Sequence, residues 1–143
     1  MKKTMAAGSV FEDSVTFTRE QVMKFAELTG DVNPIHVDDE FAAKSNYGRT
    51  IVHGTLAGSA FSRILSTVFP GPGSIAIHRE SLFIRPVFTD QPYKILIRVS
   101  SLDEETKTVH MKCYLKNSED KTCIMVATKM KNENIFSAIS GSP

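Results

Sequence analysis

The chain has 143 residues, 41% of them hydrophobic and 23% charged. That is the make-up of one ordinary globular domain, long enough to bury a core without disulfide or metal staples. Its formal net charge is +1, and its lysines and arginines are scattered, which argues against a nucleic-acid surface, where they would cluster.

Two cysteines, Cys113 and Cys123, make neither a disulfide framework nor a cysteine-built metal centre. They are expected as reduced, half-buried thiols of an intracellular protein, lying nearly opposite each other across a hairpin. No stretch is long and apolar enough to span a bilayer. Met1 to Ser9 carries two lysines and no apolar segment of a secretion signal. An intracellular location is expected, the cytoplasm first, with a mitochondrial or other organellar protein that has lost its transit peptide as the alternative.

In chain order, Ser14 to Phe17 is the first expected strand. Thr18 then caps a helix, with Gln21 completing a capping box. Val22, Phe25, Ala26 and Thr29 follow at helical spacing, and Gly30 stops the helix. Residues 30 to 37 are expected as non-helical loop, because Pro34 lacks an amide hydrogen and pushes Asn33 out of the helical region. A short helix is expected from Asp38 to about Lys44, followed by loop to Val52.

Gly54 to Phe69 reads as a long helix. Ala57, Ala60, Phe61, Ile64, Leu65 and Val68 form one apolar face. Gly58, Ser59, Ser62, Ser66 and Thr67 form a face of small residues, and Arg63 is its only charge. A helix so poor in charge should be largely buried. Pro70-Gly71-Pro72-Gly73 ends it. Four strands are then expected, over residues 74–84, 92–101, 107–117 and 121–131. The last two form a hairpin around Asn117 to Lys121. Antiparallel strands with one covered face, plus one long apolar helix, predict an α+β domain whose sheet wraps the helix. Residues 1–131 are taken as the domain and 132–143 as a polar tail.

The densest polar cluster in apolar surroundings is Asp31, Asn33 and His36, on the kinked loop. A carboxylate and an imidazole on a rigid turn can grip one water, which the imidazole can deprotonate at neutral pH. Asn33 can hold the carboxylate. The plainer alternative is that all three cap turns. The second candidate is His53-Gly54 at the start of the long helix. There unpaired backbone N–H groups and the positive dipole end suit a carbonyl oxygen that gains charge. A glycine there lets a ligand approach closely. The alternative is an ordinary cap and tight packing. His110 falls on the wet face of its strand, and His78 suits a surface or dimer contact. No His, Cys or Asp set has the sequence spacing of a metal site. Ser62 lacks the setting of a nucleophile elbow, and Gly73-Ser74-Ile75 is no phosphate-binding loop.

The segment Phe25-Ala26-Glu27-Leu28-Thr29-Gly30-Asp31-Val32-Asn33-Pro34-Ile35-His36, with Ala42 beyond it, resembles the hydratase-2 motif of MaoC-like dehydratases. Thr50-Ile51-Val52-His53-Gly54 and Phe83-Ile84-Arg85-Pro86-Val87 are similar to the family's second and third blocks, and the likeness covers about residues 12 to 131. Thr50 stands where proline is expected, and Thr89-Asp90 where a Gly-Asp turn is common.

The resemblance implies a hot-dog fold, with a curved antiparallel sheet around helix 54–69, usually paired as a homodimer. It implies an (R)-specific enoyl-CoA hydratase that adds water to a trans-2-enoyl-CoA, and the reverse dehydration. Asp31 and His36 would be the catalytic pair, with Asn33 and His53 supporting. The Gly54 amide would polarise the thioester carbonyl, and Ser62 and Leu65 would lie near the acyl chain. No cofactor or metal is implied. Alternatives are a 3-hydroxyacyl dehydratase acting on acyl carrier protein, for which Lys44, Arg49 and Arg85 would be the carrier contacts, a thioesterase, and a non-catalytic acyl-thioester binding protein.

Overall fold

A computed structural model describes residues 5–135. Its elements in chain order are β1 (Val10–Thr16), α1 (Arg19–Thr29), α2 (Pro34–Val37), α3 (Asp39–Ala43), α4 (Gly54–Thr67), β2 (Ile75–Phe83), β3 (Pro92–Asp103), β4 (Thr108–Lys116) and β5 (Thr122–Lys131). The five strands form one antiparallel sheet in the order β1-β3-β4-β5-β2. Register irregularities at Ala76/His78, Val99/Ser101 and Leu115/Lys116 bend it.

Helix α4 lies against the concave side. Its Ala57, Phe61, Ile64 and Leu65 are sealed from solvent in one cluster with Ile95, Ile97, Val109, Met111, Leu115 and Val126 of the sheet. The alternation of β4 places Val109, Met111, Cys113 and Leu115 inward and leaves His110 and Lys112 exposed. Burying side chains of that size stabilises the fold by about 1.5–3 kcal/mol each, so the α4–sheet interface is what makes this chain a domain.

Helix α1 begins as its sequence dictates. Thr18 Oγ1 accepts from the Gln21 amide at 3.1 Å, and Gln21 Oε1 accepts from the Thr18 amide at 2.9 Å. It ends at Gly30, whose φ of 76° is left-handed backbone; glycine adopts it without steric cost.

Four expectations need correction. Strand β1 starts at Val10 rather than Ser14, because on this edge strand Glu12 faces water and Asp13, on the half-buried face, pairs with Arg63 of α4 at 3.4 Å, so neither charge opposes pairing. Residues 34–37 are a helical turn rather than loop. Pro34 occupies the first helical position, where a missing N–H costs nothing, and Asn33 caps it. Helix α4 stops at Thr67, and Val68 is half exposed. The cysteines are fully buried and free, and not opposite each other, since Cys113 pairs with Val126.

Asn132, placed with the tail from sequence, is 2% exposed and donates to Pro72 O and Ser74 Oγ. Ile135 packs against the core. Residues 136–143 of that tail lie outside the described residues.

Candidate active site

The turn after α1 is built by local hydrogen bonds. Thr29 Oγ1 donates to Phe25 O and accepts from the Asp31 amide. Asp31 Oδ1 accepts from the backbone amide of Asn33 at 3.3 Å. The Asn33 side chain instead accepts from the Ile35 amide, capping α2. Asn33 therefore steadies both Asp31 and His36 through its main chain, with the His36 amide donating to Asn33 O at 2.9 Å, and caps α2 with its side chain. That division was invisible in the sequence, where its amide was expected to hold the carboxylate.

Arg19, the first residue of α1, clamps the far end of α2. Its guanidinium donates to His36 O at 2.6 Å, Val37 O at 2.8 Å and Thr50 Oγ1 at 3.3 Å. The planar fork matches two successive carbonyls. Sequence reading missed this residue, because nothing local marks a contact spanning 17 positions.

The fold brings Asp31, His36 and His53 together, with side-chain donor or acceptor atoms all within 4.8 Å of one another. His36 Nδ1 lies 2.8 Å from Ile51 O. A carbonyl only accepts, so Nδ1 carries a hydrogen, and in the neutral ring Nε2 keeps a free lone pair. His53 Nε2 lies 3.0 Å from Asp31 O, so it too donates to a carbonyl. The two imidazoles are 4.0 Å apart, and Phe25 packs 4.8 Å from His53. His53 is 2% exposed, and its Nδ1 is buried without a partner. A His/Asp trio thus exists in space that sequence spacing did not reveal. Its donor types would suit a divalent cation as well as proton transfer.

A cavity of about 400 Å³ opens beside this trio, lined by His36, Ile51, Gly54, Thr55, Phe83 and Arg85 among others. A second space of about 410 Å³ adjoins α3 but contains no imidazole. The first includes the start of α4, where His53 makes no side-chain cap and the first amides have no intrahelical acceptor. A Cβ on Gly54 would fall 2.6 Å from the Phe83 ring, so glycine is what lets that ring pack against the start of α4 in the cavity wall.

Ser62 and Leu65 do not line that cavity. Leu65 is in the core, and Ser62 Oγ accepts from Arg79 Nη1 at 2.7 Å. Of the candidate carrier contacts, Lys44 pairs with Glu40, Arg49 lies 4.2 Å over the Phe88 ring, and Arg85 donates to Thr122 O. His78 and His110 are exposed on the sheet, away from the trio.

Residues 2–121 match the model of the MaoC like domain. A 3-hydroxybutyryl-CoA dehydratase of Methylorubrum extorquens is 36% identical over 92 residues, 64% of this chain and 59% of that protein. The chain thus spans less than two thirds of that relative. A mitochondrial 3-hydroxyacyl-[acyl-carrier-protein] dehydratase of Arabidopsis thaliana is 31% identical over 82% of this chain and 72% of its own. Among solved structures, the (R)-hydratase from A. caviae involved in PHA biosynthesis superposes with a TM-score of 0.86 at 29% identity, covering 91% of this chain and 98% of that one. The sheet around α4 is therefore the hot-dog fold.

Proposed function

Since this chain belongs to the MaoC like domain family, we propose that it hydrates trans-2-enoyl thioesters of coenzyme A to (R)-3-hydroxyacyl thioesters, and dehydrates them in reverse. The observation that carries the reading is the pairing of Asp31 with His36 beside a cavity that reaches the start of α4.

The geometry supports the following chemistry. A water held between the Asp31 carboxylate and the free lone pair of His36 Nε2 is deprotonated as its oxygen attacks C3. Electron density moves onto the thioester oxygen, which the Gly54 amide and the positive end of α4 stabilise. A proton then returns from the same pair to C2. Oxygen and hydrogen arrive on one face, so the addition is syn. Asn33 and His53 act as positioning residues. The acyl chain leaves the cavity along the small-residue face of α4, toward Ser62. The scheme needs no cofactor.

A second reading, a dehydratase acting on acyl carrier protein, is favoured by the printed name of the Arabidopsis relative. The chemistry is the same and only the thioester's handle differs. Mixing the protein with crotonyl-CoA or crotonyl carrier protein, and following loss of enoyl absorbance, tests both. Turnover of one substrate at least ten-fold faster assigns the handle. No turnover of either contradicts hydration, and ligand binding would remain.

A homodimer is part of this proposal. Strand β2 is one of the sheet's two edges, and Ile75, Ile77, Leu82, Phe83 and Ile84 on and beside it are exposed. Such an edge pairs readily with a second copy. No helix among the described residues is long and apolar enough to cross a membrane. The two free thiols fit an intracellular compartment.

A further inference from the structure

The solvent face of the sheet gathers cations that the sequence scatters. Residues directly opposite on antiparallel strands share a face, and the register sets two rows across this one. His78 of β2, Lys129 of β5, His110 of β4 and Ser101 of β3 form the first row. Glu80, Ala127, Lys112 and Arg98 of the same strands form the second. Their neighbours along β4 and β5, Val109, Met111, Val126, Thr128 and Met130, are buried, so both rows point to water. Strands lie about 4.8 Å apart, so Lys129 stands between two histidines whose main chains are about 10 Å apart.

The rows enclose a hollow. The strand register slips at both ends of the first row, at Val99/Ser101 and at Ala76/His78, and such bulges bend a sheet locally. Ala127 in the second row is too short to fill the dip. The hollow measures about 310 Å³ and is lined by His78, Ser100, Ser101, His110, Lys112 and Lys129 among others. Arg98, Lys112 and Lys129 take part in none of the ion pairs among the described residues. Glu80 is the acidic member of the two rows, and Asp103 feels the charge of Lys129 without pairing with it. Arg98 and Lys112 stand directly opposite each other. Like charges so placed destabilise a sheet, and a bound anion relieves them.

We propose that this face holds an anion-binding site, centred on His110, Lys112 and Lys129, for a phosphate monoester or diphosphate group. A phosphate monoester carries close to two negative charges at neutral pH and three acceptor oxygens. It can therefore meet Lys112 in one row and Lys129 and His110 in the other at once, with Ser100 and Ser101 adding hydroxyl donors at the rim. A carboxylate, with one charge and two oxygens in a plane, satisfies fewer of these groups. The three central residues lie on β4 and β5, inside the sheet. Pairing of β2 with a second copy extends the sheet in its own plane and leaves this face open. The site lies on the side of the sheet away from α4 and does not rest on the hydratase reading. A free phosphorylated metabolite and a phospholipid headgroup both supply its chemistry.

The test titrates the full chain with pyrophosphate at constant ionic strength and follows the histidine ring signals by nuclear magnetic resonance. His78 and His110 should move, and His36 and His53 should not. Lys112→Gln and Lys129→Gln should each weaken binding about three- to five-fold, whereas Lys24→Gln, which removes an exposed cation of α1, should change it less than about two-fold. Circular dichroism checks that each variant is folded. Flotation with phosphatidylcholine vesicles, with and without phosphatidic acid, separates the two sources. Capture by phosphatidic acid that Lys112→Gln weakens assigns a headgroup, and pyrophosphate binding without such capture assigns a soluble ligand. Shifts confined to His36 and His53, no shifts at all, or an equal loss in Lys24→Gln would overturn the site.

Discussion

His53 Nε2 lies 3.0 Å from the main-chain oxygen of Asp31. His53 is also the residue from which α4 starts, so one hydrogen bond ties the carboxylate-bearing turn to the helix end at Gly54. This bond, between residues 22 positions apart, sets the relative position of the proposed water-activating pair and the proposed carbonyl-binding amide. His53→Ala should cost about 1–3 kcal/mol of stability, because it empties a buried site and leaves a carbonyl unpaired. It should lower kcat about 10–100-fold with a smaller change in KM. In His53→Gln the amide N–H can reach the same carbonyl, so that variant should recover part of kcat. Denaturant unfolding beside steady-state kinetics separates the two effects, and a fully active His53→Ala would rule out the positioning role.

Arg19 offers a second lever on the same turn. Arg19→Lys keeps the charge but loses the fork that spans His36 O and Val37 O. A fall of about ten-fold in kcat is expected, since His36 is held from behind by this clamp. Asp39→Asn removes only an exposed ion pair to Arg19 and should change stability by less than about 1 kcal/mol. Equal effects of the two substitutions would contradict the clamp.

Much of this was legible in the residues. Thr18, Gln21 and Gly30 announced both ends of α1, and the small-residue face of α4 announced a helix that something approaches closely. Asp31 and His36 stood out because polar side chains were concentrated on one proline-kinked turn. What could not be read was tertiary. Arg19 looks like any helix-start residue until its three acceptors are seen. The tilted ring contact of His36 with His53 joins the α2 turn to the N-cap of α4, two segments that share no pattern. Pro34 misled because it forbids a helix interior but is welcome at a helix start, and only the fold decides which applies. Arg79 and Ser62 meet because β2 returns beside α4, which no local signal records.

Gly54 admits a sharp test. In Gly54→Ala the new methyl group meets ring atoms of Phe83, a side chain 60% exposed and free to turn aside. The fold should therefore survive, with a thermal midpoint within a few degrees of the wild type. The displaced ring and the methyl group both enter the cavity wall, and kcat/KM for crotonyl-CoA should fall at least ten-fold. A large loss of stability would mean that this ring is not free to move.

Burial pushes the Cys113 thiol from 9.0 up to about 12, against a smaller opposing pull from Arg79. The folded state thus favours the neutral thiol more than the unfolded chain does. Its contribution to stability is complete below pH 9 and is lost as pH rises toward 12. Alkaline unfolding should be less steep in Cys113→Ala than in the wild type across that window. Thiol reagents at pH 8 should leave Cys113 unmodified until the protein unfolds.

The exposed apolar side chains of β2 bear on assembly. Sedimentation of the wild type should give the mass of two chains. Placing lysines at Ile77 and Leu82, which are 52% and 55% exposed, should shift it toward one chain through like-charge repulsion across the dyad. A wild type that sediments as a single chain at micromolar concentration would refute pairing along this edge.

The most direct test of the account is crotonyl-CoA hydration by the wild type, Asp31→Asn and His36→Ala, measured together, with the product's handedness determined and folding checked by circular dichroism. The account predicts rapid loss of enoyl absorbance and an (R) product for the wild type. Both variants should be folded and slower by about 10²–10⁴-fold. A wild type that turns over while both folded variants keep its rate would contradict the assignment of Asp31 and His36 as the water-activating pair.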